Sequence, residues 1–140
     1  MLQQDKKHSR SERLGRWAEQ RAAAYLQQHG FDLLHKNFHS RFGEIDLIMR
    51  REHELIFVEV KARSNAQFGQ ALEMITPAKQ QKMIKTALCF LDVYPDYQQY
   101  NCRFDAVCIQ FKQQIAKSIQ QDFSQLAYDL DWIESAFTLD

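Results

Sequence analysis

Two short segments in the first half of the chain, residues 44–49 and 55–61, are largely apolar, and charged side chains alternate with apolar ones at residues 44–47 and 58–61. A period of two is typical of a half-buried β-strand, because successive side chains point to opposite faces. The polar residues 51–54 between the two segments suit a turn. The pattern therefore predicts a β-hairpin, and it limits the chain to folds that contain a sheet.

A helix is predicted before the hairpin. Apolar residues recur at three- and four-residue steps between Leu14 and Leu26, after a capping box at residues 9–12. Gly30 then offers a stop. This spacing indicates an amphipathic helix with one face packed on a core.

The second half of the chain continues the mixture of helices and strands. Thr76 followed by Pro77 is typical of a helix start, and the apolar stripe after it ends before Pro95. The other predicted elements are strands over residues 31–38 and 103–111 and a final helix over 125–137 with Leu126, Leu130, Ile133 and Phe137 on one side. The order α, β, β, β, α, β, α predicts an α/β fold.

Length and composition favour one folded domain. The 140 residues are 45% hydrophobic with four Gly and two Pro, which suits a single core and excludes a linker-like chain. We predict a flexible lead over residues 1–8 and one domain over 9–140. Lys plus Arg and Asp plus Glu number 18 each, so the net charge is zero. This balance excludes a protein that coats DNA indiscriminately, and any nucleic-acid site must be local.

The cysteines and the hydropathy pattern bear on location. Cys89, Cys102 and Cys108 are odd in number and form no C-x-x-C pair, so neither a disulfide framework nor a zinc ribbon is predicted. The chain has no apolar run near the roughly 18 residues that cross a bilayer. We therefore expect a cytoplasmic protein without a membrane partner.

Charged side chains are grouped on one side of the predicted hairpin. Glu44 and Asp46 share a face of their strand, and Glu59 and Lys61 share a face of theirs. When the strands pair with these faces together, Asp46, Glu59 and Lys61 converge around one metal site. The opposite faces would carry Ile45, Leu47 and Met49 on the first strand and Ile56, Val58 and Val60 on the second.

This arrangement is typical of phosphodiester hydrolysis. Carboxylates are hard oxygen ligands for Mg²⁺ (or Mn²⁺), which neutralises charge on a phosphate and lowers the pKa of an attacking water. We predict that Asp46, Glu59 and Glu44 bind this cofactor. Lys61 would orient the water and stabilise the transition state, or act as a base, and the spacing leaves both roles open. Glu19, beside the apolar stripe of the first helix, is a candidate further acid.

The same pattern has a plain structural interpretation. An alternating hairpin commonly has one solvated face, and Glu59 with Lys61 could form a surface pair worth less than about 1 kcal/mol. The strand that contains Glu59 looks central, however, because residues 55–58 are all apolar. A carboxylate buried there is costly without a metal or a cation, which favours the functional interpretation.

Basic residues near the motif are candidates for phosphate binding. Lys79, Lys82 and Lys85 lie three apart on the second predicted helix, and Arg41 and Arg63 flank the two motif strands. A solvated helix face and ordinary exposed arginines are the alternative interpretation.

The chain resembles the YraN-like family of small bacterial proteins, within the PD-(D/E)xK nuclease-like superfamily. The resemblance runs from about Gly15 to Phe137. The Pro that customarily precedes the first Asp is replaced by Ile45, which leaves the carboxylates in place. The residues that carry it are Gly43-Glu44-Ile45-Asp46-Leu47-Ile48, Phe57-Val58-Glu59-Val60-Lys61-Ala62-Arg63, Phe68-Gly69, Lys79 and the closing Trp132-Ile133-Glu134-Ser135-Ala136-Phe137.

The resemblance implies a restriction-endonuclease-like fold, a mixed sheet flanked by helices, similar to archaeal Holliday-junction resolvases. It implies that Asp46 and Glu59 are metal ligands, Lys61 is catalytic and Glu19 is a helix-borne acid. Lys79 would lie near the site. By the same resemblance we expect a homodimer.

Two classes of function follow. The first is a metal-dependent nuclease that hydrolyses DNA phosphodiester bonds, on branched or processed DNA. The alternative is a non-catalytic module on the same fold that binds nucleic acid or a protein. A scaffold with affinity for neither metal nor nucleic acid is a third candidate.

Overall fold

Two helices and five strands make up the part of the chain that the computed structural model describes, which is residues 10–63, 75–112, 123 and 126–138. A short 3₁₀ turn, Pro95–Gln99, precedes the fourth strand. The bounds are α1 Arg10–Gln28, β1 Asp32–Ser40, β2 Gly43–Arg51, β3 Glu54–Arg63, α2 Pro77–Val93, β4 Asn101–Phe111 and β5 Tyr128–Phe137.

The strands form one mixed sheet in the order β1-β2-β3-β4-β5. β3 and β4 are parallel, and the other neighbours are antiparallel. α2 lies in the connection between the parallel pair, as a crossover requires. The predicted α/β class is confirmed: the mixed sheet flanked by helices is consistent with a restriction-endonuclease-like fold.

Each face of the sheet packs against one helix. Neighbouring residues of β3 point to opposite faces, so Val58 packs with Ala22 and Leu26 of α1 while Phe57 packs with Phe90 of α2. Both clusters are buried. The sheet is therefore the middle layer, with α1 on one side and α2 on the other.

The predicted stop of the first helix is confirmed at Gly30. The Phe31 N–H donates to the Leu26 carbonyl at 3.1 Å, and the Gly30 N–H donates to the Gln27 carbonyl at 3.0 Å. These are the two hydrogen bonds of a Schellman motif, and Gly30 has the φ of +93° that the motif requires. The first residues of the predicted capping box lie outside the described residues.

The predicted start of the second helix is also confirmed. The Thr76 hydroxyl accepts a hydrogen bond from the Lys79 backbone N–H at 3.2 Å, and Pro77 occupies the first helical position. This cap fixes the first turn of α2, which contains Lys79, above the sheet.

The prediction of a final helix over residues 125–137 is wrong, because Tyr128–Phe137 forms strand β5. A bulge explains the misleading pattern. Phe104 pairs with Phe137 and Ala106 pairs with Ile133, so two steps on β4 match four steps on β5. Ile133 and Phe137 thus share a cluster at helical spacing while the backbone is extended.

The predicted alternation of β2 is wrong at Ile45. Leu47 and Met49 pack on the α1 side as expected, but Ile45 packs on the α2 side together with Ile48. The strict period of two therefore breaks beside Asp46. This break lies at the edge of the candidate site.

Within the described residues, no helix is long and apolar enough to cross a bilayer. The lead predicted over residues 1–8 lies outside the described part of the chain. The single-domain boundary at 9–140 and the cytoplasmic location stay predictions.

Candidate active site

The site lies where β2 parts from β3. The pairs between the two strands run from Arg51–Glu54 to Leu47–Val58. At the next step an Asp46 carboxylate oxygen accepts a hydrogen bond from the Val60 backbone N–H at 2.8 Å. The Asp46 side chain thus forms a hydrogen bond with the β3 backbone just beyond the last β2–β3 pair. This bond holds the Asp46 carboxylate beside Glu59.

Glu59 is buried on β3, with 6% of its surface exposed, and two lysines contact it. The ammonium of Lys61, two residues along the same strand, lies 3.1 Å from Glu59 Oε2. The ammonium of Lys79, from the first turn of α2, also lies 3.1 Å from that oxygen. We call Asp46, Glu59, Lys61 and Lys79 the acid–lysine cluster.

The two lysines differ in how tightly they hold a proton. Burial lowers the pKa of Lys79, and its contact with Lys61 lowers it further. Burial opposes the charge on Lys61 as well, but the neighbouring charge of Glu59 acts in the opposite direction, and the pKa of Lys61 is raised. Burial and the charge of Glu59 thus act in opposite directions on both lysines.

The pKa of Asp46 is raised by burial and by the negative charges of neighbouring acids. Burial raises its pKa from 3.8 to about 8, and the charge of Glu59 adds to this rise. The Val60 N–H acts in the opposite direction, while Glu19 and Glu44 act in the same direction as Glu59. Asp46 is thus the carboxylate on which a bound cation would have the largest effect.

Glu19 of α1 reaches the cluster electrostatically. Burial raises its pKa, and the charges of Glu44 and Glu59 contribute to the rise. The Asn37 amide of β1 donates a hydrogen bond to Glu19 Oε1 at 3.2 Å. A groove of about 270 Å³ runs beside this contact, lined by Glu12, Gly15, Arg16, Glu19 and Asn37.

The donor set suits Mg²⁺, which takes oxygen ligands and keeps several waters. Two carboxylates, Asp46 and Glu59, come together at the site. Among the residues that the structure describes, no group of three or more His, Cys, Asp or Glu side chains is placed to share one metal. Glu44 is exposed, with its carboxylate 3.9 Å from His39 Nε2. Its part in metal binding stays a prediction.

The basic residues fall into three places. Lys79 contacts Glu59 in the acid–lysine cluster. Lys82 and Lys85 are exposed, and they lie beside the β1–β2 turn at Gly43 and Phe42. The Phe42 ring of this turn lies 4.9 Å from the Arg41 guanidinium carbon and 5.4 Å from Lys85 Nζ. Arg63 is half-buried at the end of β3. The structure thus gathers Arg41, Lys82 and Lys85, which we call the turn–α2 basic surface.

Asn37 is the site residue that the sequence analysis missed. It has a φ of +54° inside β1. The one available signal was an Asn within an otherwise extended segment, because Asn tolerates a left-handed backbone better than most residues. Nothing in the sequence pattern joined it to Glu19.

The fold and the site together define an α/β protein whose mixed sheet carries a cluster of acids and lysines at a strand divergence. Residues 18–109 match the model of a family described as "Uncharacterised protein family UPF0102". The chain belongs to this family, and the YraN-like resemblance is confirmed at that level.

The relatives extend over most of the chain. A UPF0102 protein of Acinetobacter baumannii strain AYE is 56% identical over 130 residues, which is 93% of this chain and 98% of the relative. One of Acinetobacter baylyi is 57% identical over 126 residues, or 90% of each chain. One of Nitrosomonas europaea is 43% identical over 120 residues, or 86% of this chain and 89% of the relative. These relatives are named by the family alone.

Proposed function

We propose that this protein is a metal-dependent nuclease of the PD-(D/E)xK superfamily that hydrolyses DNA phosphodiester bonds, with branched or processed DNA as its substrate. The observation that carries the proposal is the environment of the Asp46 carboxylate. Its carboxylate is held beside Glu59 by the Val60 N–H, and its pKa is raised to about 8. Burial and the charge of Glu59 disfavour the ionised form of Asp46. A divalent cation that binds between the two carboxylates would stabilise that form.

Asp46 and Glu59 would hold Mg²⁺ or Mn²⁺, with Glu44 at the exposed margin as a further oxygen ligand. When bound, the metal would lower the pKa of a water and neutralise charge that builds on the phosphate. The position of Glu59 between two ammoniums supports this arrangement, because the same lysines can then face the substrate phosphate.

Lys61 would donate hydrogen bonds to the attacking water and to the phosphate. The position of its ammonium, 3.1 Å from Glu59 Oε2, supports this charged role. Lys79 would contribute a second positive charge to the phosphate from the first turn of α2. Glu19 would accept a hydrogen bond from water on the α1 side of the site. Each role uses a group that is within reach of Glu59 or electrostatically coupled to it.

The turn–α2 basic surface would bind the DNA backbone outside the reaction centre. Arg41, Lys82 and Lys85 would contact phosphates, and Arg63 would do so from the end of β3. We expect Lys82→Ala to reduce affinity equally for different DNA sequences and to reduce the salt slope by about one unit. Arg50→Ala is the matched control, because Arg50 pairs with Asp32 on the β1–β2 pair instead. An equal loss in both variants would contradict the assignment.

A homodimer is part of the proposal, since two copies would present one site to each DNA strand. Sedimentation of the protein with and without DNA tests it. A monomer in both conditions would exclude it.

The test of the nuclease begins with metal binding. Mn²⁺ is titrated calorimetrically into the wild type, Asp46→Asn and Asp32→Asn, and the same samples are assayed on labelled linear, single-stranded, flapped and branched DNA. We expect binding and cleavage by the wild type and Asp32→Asn, and loss of both in Asp46→Asn. Asp32→Asn removes the same charge from an exposed position. A wild type that binds Mn²⁺ no better than Asp46→Asn would overturn the proposal.

One observation favours the alternative of a non-catalytic binding module. Glu59 already has two ammoniums at 3.1 Å, so part of the acidic charge is neutralised without a metal. This alternative predicts salt-dependent DNA or protein binding that Asp46→Asn leaves unchanged, with no cleavage in either protein. Filter binding across a salt series distinguishes it from the nuclease.

A further inference from the structure

Asn37 has an unusual backbone for a residue inside a strand. Three non-glycine residues of the described chain have positive φ: Asn37 at +54°, Glu52 at +54° and Ser135 at +51°. Glu52 lies in the β2–β3 turn, and Ser135 lies in the bulged part of β5, where its N–H bonds to Asp105. Asn37 lies inside strand β1, neither in a turn like Glu52 nor in a bulge like Ser135. A left-handed residue costs roughly 1 kcal/mol and commonly marks a functional constraint.

The position of Asn37 in the sheet is specific. The neighbouring pairs are Lys36–Leu47 and Phe38–Ile45, so the residue across from Asn37 is Asp46. The strand irregularities of β1 and β2 therefore meet at one step of the hairpin.

The Asn37 side chain bridges the sheet to α1. Its amide donates to Glu19 Oε1 at 3.2 Å, and both residues line the groove beside the site. Asn37 is thus in contact with the one acid of the site that comes from a helix. An amide that donates to a carboxylate oxygen in this way limits the directions in which the Glu19 carboxylate can point.

We propose that Asn37 is a positioning residue of the active site, whose left-handed backbone aims its amide at Glu19 and fixes that carboxylate over the Asp46 step of the hairpin. This inference rests on the proposed function. Asn37 itself touches no reacting atom in this scheme. Its effect on catalysis passes through Glu19.

Two substitutions separate the amide from the backbone. Asn37→Gly keeps a residue that adopts positive φ freely but removes the donor. Asn37→Asp keeps the size and replaces the donor with a second negative charge next to Glu19. We expect both variants to fold and to lose about 10- to 100-fold in kcat with little change in KM, as is found for residues that orient a site group. Glu52→Gly, with the same φ at a remote turn, is the matched control and should retain full activity.

A double variant tests whether the effect passes through Glu19. If it does, Asn37→Gly adds no loss to that of Glu19→Gln. Additive losses would mean that Asn37 acts by another route and would overturn the proposal.

A spectroscopic readout distinguishes failure of this proposal from failure of the nuclease. The Glu19 carboxyl ¹³C resonance is titrated in the wild type and in Asn37→Gly. Loss of the amide hydrogen bond should move its midpoint to higher pH, because that bond lowers the Glu19 pKa. If the wild type cleaves no DNA but the midpoint moves, the nuclease fails and the positioning stands. An unmoved midpoint overturns the positioning whatever the cleavage result.

Discussion

Two aspartates on the same sheet show opposite environments for a carboxylate, since Asp105 is fully buried and Asp46 is half-buried. Asp105 of β4 is fully buried and accepts hydrogen bonds from Arg103 Nε and Nη2 at 3.0 and 3.1 Å. It also accepts from Trp132 Nε1 at 2.9 Å and from the Ser135 N–H at 3.0 Å. Asp46 of β2 accepts from the Val60 N–H and is coupled to three other acids.

The difference separates an acid whose charge the protein compensates from one whose charge it leaves poorly compensated. Charge-assisted hydrogen bonds surround Asp105, and Arg103 also contacts Glu54 at 3.0 Å and Glu134 at 3.2 Å. This Asp105 network, made of Asp105, Arg103, Trp132 and Ser135, is complete within the protein. The Asp46 carboxylate accepts a hydrogen bond from the Val60 N–H and lies near three acids, so its charge is poorly compensated. A poorly compensated carboxylate is expected where a cation or a substrate binds.

The largest expected effect is on stability, at Asp105. Asp105→Asn should lower the free energy of unfolding by about 3–5 kcal/mol, because it leaves the Arg103 guanidinium without its buried charge partner. Urea denaturation followed by circular dichroism measures this. A loss below about 1 kcal/mol would contradict a structural role for the network.

Replacing Asp46 by Asn should raise the free energy of unfolding at high pH, whereas replacing Asp105 should lower it. Its pKa is about 8 in the folded protein and ordinary when unfolded, so the folded state retains the proton that the unfolded chain loses. Stability should therefore fall between about pH 4 and pH 8, and the penalty is complete above pH 8. Without divalent cations, Asp46→Asn should exceed the wild type in stability at pH 9 by on the order of 2 kcal/mol. Asp32→Asn controls for charge, and an Asp46→Asn variant less stable than the wild type at pH 9 would refute this expectation.

Divalent cations should remove that difference. Mg²⁺ or Mn²⁺ at a hundred times its dissociation constant should stabilise the wild type by about 2.7 kcal/mol, because it binds the folded state. Asp46→Asn should gain far less. Thermal unfolding at pH 8 with and without chelator provides the measurement. Equal shifts in both proteins would place the metal elsewhere.

The smallest effect is expected at the rim of the Asp105 network. The Glu134 side chain is 54% exposed and contacts Arg103 at 3.2 Å. Glu134→Gln should change stability by less than about 1 kcal/mol, because solvent screens exposed pairs. Denaturation beside Asp105→Asn tests the contrast, and a loss as large as that of Asp105→Asn would show that the rim is as important as the centre.

The sequence predicted what depends on local pattern. The Schellman stop at Gly30, the cap at Thr76 and the β2–β3 hairpin follow from nearby residues. The convergence of Asp46 with Glu59 was also predicted, because it needs only a hairpin and its register.

What the sequence did not predict depends on irregular strands and distant pairing. The β5 bulge gave Ile133 and Phe137 a helical spacing in an extended segment. Asp105 meets Trp132 and Ser135 only after β4 and β5 have paired. The Asn37–Glu19 contact likewise requires a left-handed residue inside a strand, and periodicity has no means of showing one.

The parallel pairing of β3 and β4 has a consequence for the order of folding. The β2–β3 hairpin joins residues close in sequence, so Asp46 and Glu59 can meet early. Lys79 reaches Glu59 only when α2 has crossed over to bring β4 beside β3. The acids therefore come together before one of their two cations arrives. We expect the last folding step to be the one that relieves their repulsion. Salt should therefore speed the hairpin step, in which two acids approach each other, and slow the last step, in which Lys79 approaches them.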